Sequence, residues 1–217
     1  YDTQLVCYEK IKANSYIIFP YKSVNGRPVL YSLDEMTTDF PHALAYLNSF
    51  KNKLDERNMP GRTTENWFAF GRSQSLKRFL AGEHLVWPVL STSSNYVYDN
   101  DMVVFTGGGN GPFYGIEKKV TSQESIFYIQ AILNHWLMEL LVKSRASTFR
   151  GDYYSHGKQF IATLPIYKID FENPTEVARH QRIVEMVQNI MQLKEQLASA
   201  PNAARRTVLE HSITAIN

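Results

Sequence analysis

Two stretches of the sequence combine positively charged, amide and aromatic side chains within a short span. Residues 57–90 contain five Lys or Arg and two acidic residues, and residues 143–158 contain four and one, so each stretch has a net charge of +3. Lysine and arginine pair with phosphate groups, while Arg72 and Gln74 can each form two hydrogen bonds with the edge of a base. The composition of both stretches therefore suits nucleic-acid binding.

Aromatic residues strengthen this pattern, because Trp67, Phe68, Tyr153 and Tyr154 can stack on bases or pack on sugars. Taken alone, the composition is equally typical of two solvated loops anchored by buried aromatic residues, and Trp67 and Phe68 are by themselves more typical of a core. Joint binding of one ligand requires both stretches to lie on one face. The candidate residues for nucleic-acid binding are Arg62, Arg72, Ser73, Gln74, Lys77, Arg78, Arg145, Arg150, Tyr153, Tyr154 and Lys158.

Motifs that would indicate catalysis are incomplete. The glycine run Gly107–Gly111 is followed by Pro112 and lacks the Lys-Ser/Thr of a phosphate loop, so it predicts a hairpin tip. No two of the six histidines have metal-ligand spacing, and the Ser155-His156 pair has no accompanying oxyanion-hole motif. Asn173–Thr175 fails the Asn/Asp-Pro-Pro-aromatic pattern of adenine methyltransferases at its third position. We predict that this chain has no catalytic centre, metal site or cofactor of its own.

The overall composition is that of a globular protein. The chain has 217 residues, of which 44% are hydrophobic and 20% charged, and it has no apolar run long enough for a transmembrane helix. One cysteine, Cys7, excludes a disulfide framework and favours the cytoplasm. The net charge of +2 indicates no partner, so anion binding must come from local clusters. The first residue is Tyr1, without a signal pattern, and we interpret the chain as a piece of a longer protein.

Local signals predict alternating strands and helices. An Asn25-Gly26 turn joins two predicted strands, and capping-box spacing occurs at Ser32 with Glu35 and at Thr121 with Glu124. The predicted strands are 15–21, 28–31, 84–91, 102–105 and a short one ending at 164–166, and the predicted helices are about 39–57, 126–142, 175–198 and one after Pro201. This order predicts an α+β fold with a mixed, mainly antiparallel sheet packed against helices at about 39–57 and 122–143, followed by a C-terminal helical hairpin.

Five motifs in this order resemble a known family. They are FPY at 19–21, AYLNSFKNKLDER at 45–57, WFAFGRSQSL at 67–76, FYIQAILNHWL at 127–137 and FRGDYYSHGKQFIATLPI at 149–166. Together they resemble the TaqI-like C-terminal specificity domain, which is the target recognition domain of adenine-N6 DNA methyltransferases and of type IIG restriction enzymes. The resemblance covers roughly residues 16–166, so we expect residues 1–170 to form the recognition domain and 171–217 a helical spacer or appendage.

The resemblance implies a function in a restriction–modification system. It implies that the chain reads the sequence of double-stranded DNA, while a methyltransferase domain of the parent polypeptide binds S-adenosylmethionine and flips the target adenine. An attached nuclease, where present, would use Mg²⁺. The candidate residues around Arg72 and around Arg150 would then face the duplex.

The sequence departs from the family pattern at two places, and two other functions are alternatives to this prediction. Residues 4–12 match the family's basic N-terminal stretch poorly, and Asp152 stands where many relatives have a second glycine. The alternative function is a protein-docking module within the same kind of system, without base readout and with the C-terminal helix as its contact surface. A free-standing enzyme would need a convergent polar pocket that the sequence does not indicate.

Overall fold

The computed structural model of the chain describes residues 5–12, 16–71, 76, 82–101, 112–149 and 151–216. The chain divides into two compact units: a smaller unit, Asn14–Ala81, and a larger unit that combines Tyr1–Ala13 with Gly82–Asn217. Both contain helices and antiparallel strands, which confirms the predicted α+β class. The predicted strand at 102–105 and the hairpin tip at 107–111 lie outside the described residues.

The smaller unit begins with a two-stranded hairpin, β1 (Tyr21–Val24) and β2 (Arg27–Leu30). Its turn residues Asn25 and Gly26 have φ angles of 51° and 70°, as a two-residue turn of this hand requires, so the predicted turn is confirmed. The strand starts later than predicted. Residues 16–20 are not in a strand, because the ladder with β2 extends only to the Tyr21–Leu30 pair.

Within the described part of the smaller unit, three short helices follow the hairpin: α1 (Leu33–Asp39), α2 (Pro41–Ser49) and α3 (Lys51–Asp55). The predicted capping box at α1 is confirmed, since the Glu35 amide donates to Ser32 Oγ at 3.1 Å and the Ser32 amide donates to Glu35 Oε2 at 2.8 Å. The helix predicted at 39–57 is interrupted at Phe50. The buried residues of this unit's core are Met36, Leu44, Trp67 and Phe68.

The described residues of the larger unit form two antiparallel three-stranded sheets. The first has the order β5–β3–β6, with β3 (His84–Pro88) between β5 (Val97–Asp99) and β6 (Phe113–Glu117). The second has the order β4–β8–β7 and consists of β4 (Leu90–Ser91), β7 (Thr148–Phe149) and β8 (Tyr153–Ser155). The single strand predicted at 84–91 is thus two strands in different sheets.

The core helix predicted at 126–142 is two helices, α4 (Ile126–Leu133) and α5 (Trp136–Lys143). The break has a tertiary cause. The Asn134 side chain accepts from the Tyr96 amide and donates to the Tyr96 carbonyl, both at 2.9 Å. One side chain thus pairs both backbone groups of Tyr96, the residue directly before β5. The predicted capping box at Thr121 and Glu124 is wrong, because Ser125 is the N-cap of α4 and its Oγ accepts from the Phe127 amide.

The C-terminal helical pair is confirmed as α7 (Pro174–Ala198) and α8 (Ala203–Ile216). α7 packs on α4 through Val184 and Tyr128, which share a buried cluster with Ile169 of the segment before α7, and His180 Nε2 accepts from the Ser125 amide at 3.0 Å. The strand predicted before residue 166 is wrong. A short helix, α6 (Lys158–Ile161), and irregular backbone occupy this region. Within the described ranges, no helix has both the length and the apolarity needed to cross a bilayer.

Candidate nucleic-acid interface

The second basic stretch folds as a hairpin in the larger unit. β7 and β8 pair through Phe149 with Tyr153 and Thr148 with Tyr154, and Gly151 and Asp152 form a turn before β8. Gly151 and Asp152 have φ angles of 78° and 60°, a left-handed conformation that glycine adopts freely and that aspartate tolerates better than most residues. The backbone conformation at Asp152 is therefore one that glycine would also adopt.

Replacing Gly151 by alanine tests this turn. A Cβ at Gly151 would meet only the Tyr153 ring, at 3.7 Å, so the cost arises from the backbone and not from a clash. We expect the free energy of unfolding to fall by about 1–2 kcal/mol, measured by urea titration. Gly82→Ala is the matched control, because Gly82 has open space around it and no positive φ. Equal effects of the two substitutions would contradict the assigned turn.

One face of the β4–β8–β7 sheet is open and apolar. Side chains alternate across a strand, and the register places Leu90, Phe149 and Tyr153 on the same face. These three side chains are 45%, 50% and 46% exposed. Tyr154 lies on the opposite face, where Lys143 Nζ sits 5.1 Å from the centre of its ring. Tyr153 is therefore available to a partner, and Phe149 and Leu90 extend its surface.

Two of the predicted cations in this stretch are accessible. Arg145 and Lys158 are exposed, and no ion pair within the described part of the chain involves either of them. Arg145 Nη1 donates to Thr163 Oγ1 at 2.9 Å, which orients the guanidinium without neutralising it. Lys143, by contrast, pairs with Glu139 at 3.2 Å. Arg150 lies outside the described residues.

The first basic stretch lies largely in the smaller unit, and less of it is described. Arg62 pairs with the Asp55 carboxylate and also donates to the Asp55 carbonyl, so its charge is compensated locally. Trp67 and Phe68 are buried, as expected for core residues. The remaining candidates of this stretch lie outside the described residues: Arg72, Ser73, Gln74, Lys77 and Arg78. The arrangement of the two stretches on one face stays a prediction.

A buried polar network lies beside the hairpin. His156 is 1% exposed, and its Nε2 is 2.9 Å from Glu139 Oε2, which also accepts from Ser94 Oγ. Burial acts to raise the pKa of the Glu139 carboxyl, but the hydrogen bonds from His156 and Ser94 outweigh it and hold that pKa below its usual range. His156 Nδ1 faces the Tyr154 carbonyl at 3.1 Å. Both ring nitrogens are thus engaged with oxygen atoms of neighbouring residues, which gives no support to a nucleophile–base pair at Ser155-His156.

A second exposed apolar surface lies on α5. Trp136, Leu137 and Leu140 are 66%, 44% and 55% exposed. A groove of about 640 Å³ beside Trp136 runs between α4, α5 and α7 and has Met186 and Ile190 among its lining residues. Three large neighbouring apolar side chains are typical of a protein interface. No group of three or more His, Cys, Asp or Glu side chains in the described ranges is arranged to hold a metal ion.

Comparison with known proteins yields no matching family model, but it identifies relatives. The chain is 29% identical over 199 residues to the type II restriction enzyme and methyltransferase RM.Eco57I of Escherichia coli, covering 90% of this chain and 20% of that protein. It is 22% identical over 204 residues to the type II methyltransferase M.BanIII of Aneurinibacillus aneurinilyticus, covering 92% of this chain and 31% of that protein. Over nine-tenths of its own length, the chain is thus similar to a minor part of type II restriction and methyltransferase enzymes.

Proposed function

We propose that the chain is the target recognition domain of a restriction–modification adenine-N6 DNA methyltransferase and that it binds a specific duplex sequence. The observation that carries the proposal is the β7–β8 hairpin, with its exposed Tyr153 and the accessible cations Arg145 and Lys158 nearby in sequence. Similarity to two type II enzymes supports a place in a restriction–modification system. The order of the five sequence motifs supports the role of a target recognition domain.

Arg145 and Lys158 would neutralise phosphates and so supply affinity. Such phosphate contacts do not distinguish one base sequence from another. Tyr153 and Phe149 offer flat apolar surface to sugars, base edges or thymine methyl groups. Base discrimination would come from the forked side chains of Arg72 and Gln74 in the other stretch.

The proposed role needs a catalytic partner. The chain spans about a fifth and about a third of the two relatives, which leaves most of each enzyme outside the similar region. A methyltransferase domain would bind S-adenosylmethionine and act on the adenine, while this chain holds the duplex in register. Because the net charge is only +2, we expect the chain alone to bind DNA weakly.

The test begins with the 217-residue chain and a pool of duplexes that carry a randomised segment. Bound duplexes are recovered and sequenced over several rounds, and the enriched duplex is then titrated by fluorescence anisotropy at about 50 and 200 mM salt. We expect enrichment of one sequence and affinity that falls with salt. Absence of enrichment together with salt-insensitive binding would contradict the proposal.

Replacing Lys158 by glutamine should weaken binding to all duplexes alike. The lost phosphate contact removes about one released counterion, so the slope of log affinity against log salt should decrease in magnitude by about one. Lys119→Gln is the matched control, because Lys119 is also an exposed lysine of the larger unit but lies in neither basic stretch. A loss confined to one sequence, or an equal change in the control, would argue against a phosphate contact at Lys158.

The exposed apolar surface of α5 favours a second function, which is protein docking. Its occupant would be the methyltransferase domain of the parent enzyme, so this function is compatible with DNA recognition but does not need it. Sedimentation velocity and the same anisotropy titrations distinguish the two. Because the 217-residue chain is tested without the methyltransferase domain, its exposed apolar surface would pair with a second copy instead. Self-association that is insensitive to salt and is abolished by Trp136→Ser, with no DNA signal, would therefore favour docking alone.

A further inference from the structure

Besides the pairing of β8 with β4, the β7–β8 hairpin is attached to the core of the larger unit through His156, which directly follows β8. The His156 amide donates to the Val89 carbonyl at 2.7 Å, and the His156 carbonyl accepts from Trp87 Nε1 at 2.8 Å. Its imidazole meets Glu139 at 2.9 Å. The backbone and the side chain of one buried residue therefore fix the end of the strand that carries Tyr153.

A second residue of helix α5, Lys143, also contacts β8, one helical turn after Glu139. Lys143 lies four residues after Glu139, pairs with its Oε1 at 3.2 Å and places Nζ over the Tyr154 ring. Ser94 donates to the other oxygen of Glu139 from the chain segment between β4 and β5. Glu139 thus joins three separate segments at the back of the hairpin, and it is the central acceptor of this network.

We propose that Glu139 and His156 are positioning residues for DNA binding, which hold the β7–β8 hairpin in the orientation that presents Tyr153 and Phe149 to the duplex. The inference rests on the proposed function. Neither side chain needs to touch DNA, since His156 is buried and Glu139 is turned towards the protein interior. A few hydrogen bonds to ionised groups are expected to control the hairpin because the ladders of β8 with β4 and with β7 are each only two residue pairs long.

The experiment compares wild type, Glu139→Ala and Glu139→Gln. Hydrogen exchange measured by mass spectrometry reports the amides of residues 148–156 and, as an internal reference, those of α7. Glu139→Ala should speed exchange in the hairpin by about tenfold to a hundredfold and leave α7 unchanged, because it removes the acceptor of the His156 and Ser94 hydrogen bonds. Glu139→Gln should restore most of the protection, since its amide oxygen can still accept from both. Glu185→Ala is the matched control, because Glu185 is an exposed glutamate on α7.

Binding of the enriched duplex by the same variants completes the test. Affinity should fall in Glu139→Ala in parallel with the loss of protection and should recover in Glu139→Gln. Unchanged hairpin exchange in Glu139→Ala, or a loss of protection that extends equally to α7, would overturn the positioning role. If wild type binds no DNA at either salt concentration, the proposed function is wrong, and the exchange data then decide separately whether the network holds the hairpin.

Discussion

Replacing Trp87 by alanine is expected to lower the free energy of unfolding of the larger unit by about 3–5 kcal/mol. Trp87 is 3% exposed, and its ring lies 5.3 Å from that of Tyr96 and 6.1 Å from that of Tyr114. Truncation leaves a large cavity at the centre of the first sheet. It also removes the Nε1–H donor to the His156 carbonyl, so a buried acceptor loses its partner.

Urea unfolding followed by circular dichroism measures this loss, and two further variants separate its causes. Trp136→Ala removes a tryptophan that is 66% exposed, so the change should be within about 0.5 kcal/mol. Trp87→Phe keeps most of the buried ring but deletes the donor, and we expect an intermediate loss that includes about 1–3 kcal/mol for the unpaired carbonyl. Equal losses in Trp87→Ala and Trp136→Ala would contradict the assigned core.

Features set by neighbours in sequence were predicted correctly. The Asn25-Gly26 turn and the Ser32–Glu35 capping box depend on two to four consecutive residues, and both occur as predicted. The long amphipathic helix predicted at 175–198 is also confirmed, as the 25-residue helix α7. Local rules suffice for such elements since their hydrogen bonds are made within the element.

Features set by distant partners were not predicted. The break between α4 and α5 arises from Asn134, whose amide group pairs with the backbone of Tyr96, 38 residues earlier in the sequence. The apolar spacing that predicted a strand before residue 166 instead reflects Ile161 and Leu164, which are both buried although neither is in a strand. Periodicity cannot separate these outcomes when the apolar run is short.

The candidate site shows the same division. Composition identified the cations, but it could not show that Arg62 is compensated by Asp55 or that Lys143 is engaged by Glu139. Nothing in the sequence pairs Glu139 with His156, which are 17 residues apart. The open apolar face was also missed, because the exposure of Phe149 follows from strand register.

Replacing Arg72 by alanine is expected to weaken binding of the enriched duplex by about 1–3 kcal/mol, which is about fivefold to 150-fold, and to relax specificity at one base pair. Arg72 lies outside the described residues, but the chain leading to it is firmly attached. Trp67 and Phe68 are buried, and the Phe70 amide donates to Tyr21 Oη at 2.8 Å. A backbone anchored as far as Phe70 reduces the entropy lost when side chains that follow engage a partner.

Repeating the duplex selection with variants distinguishes base readout from phosphate contact at this position. Arg72→Lys keeps the positive charge but loses the guanidinium group that can form two hydrogen bonds with one base. It should therefore retain affinity for unrelated duplexes, while the preference at one base pair disappears. Gln74→Ala should relax a base preference without changing the salt slope, because glutamine carries no charge. If Arg72→Ala and Arg72→Lys instead differ only in salt slope and both keep the full preference, Arg72 contacts phosphate, and discrimination must come from other residues, of which the exposed β7–β8 hairpin offers the next candidates.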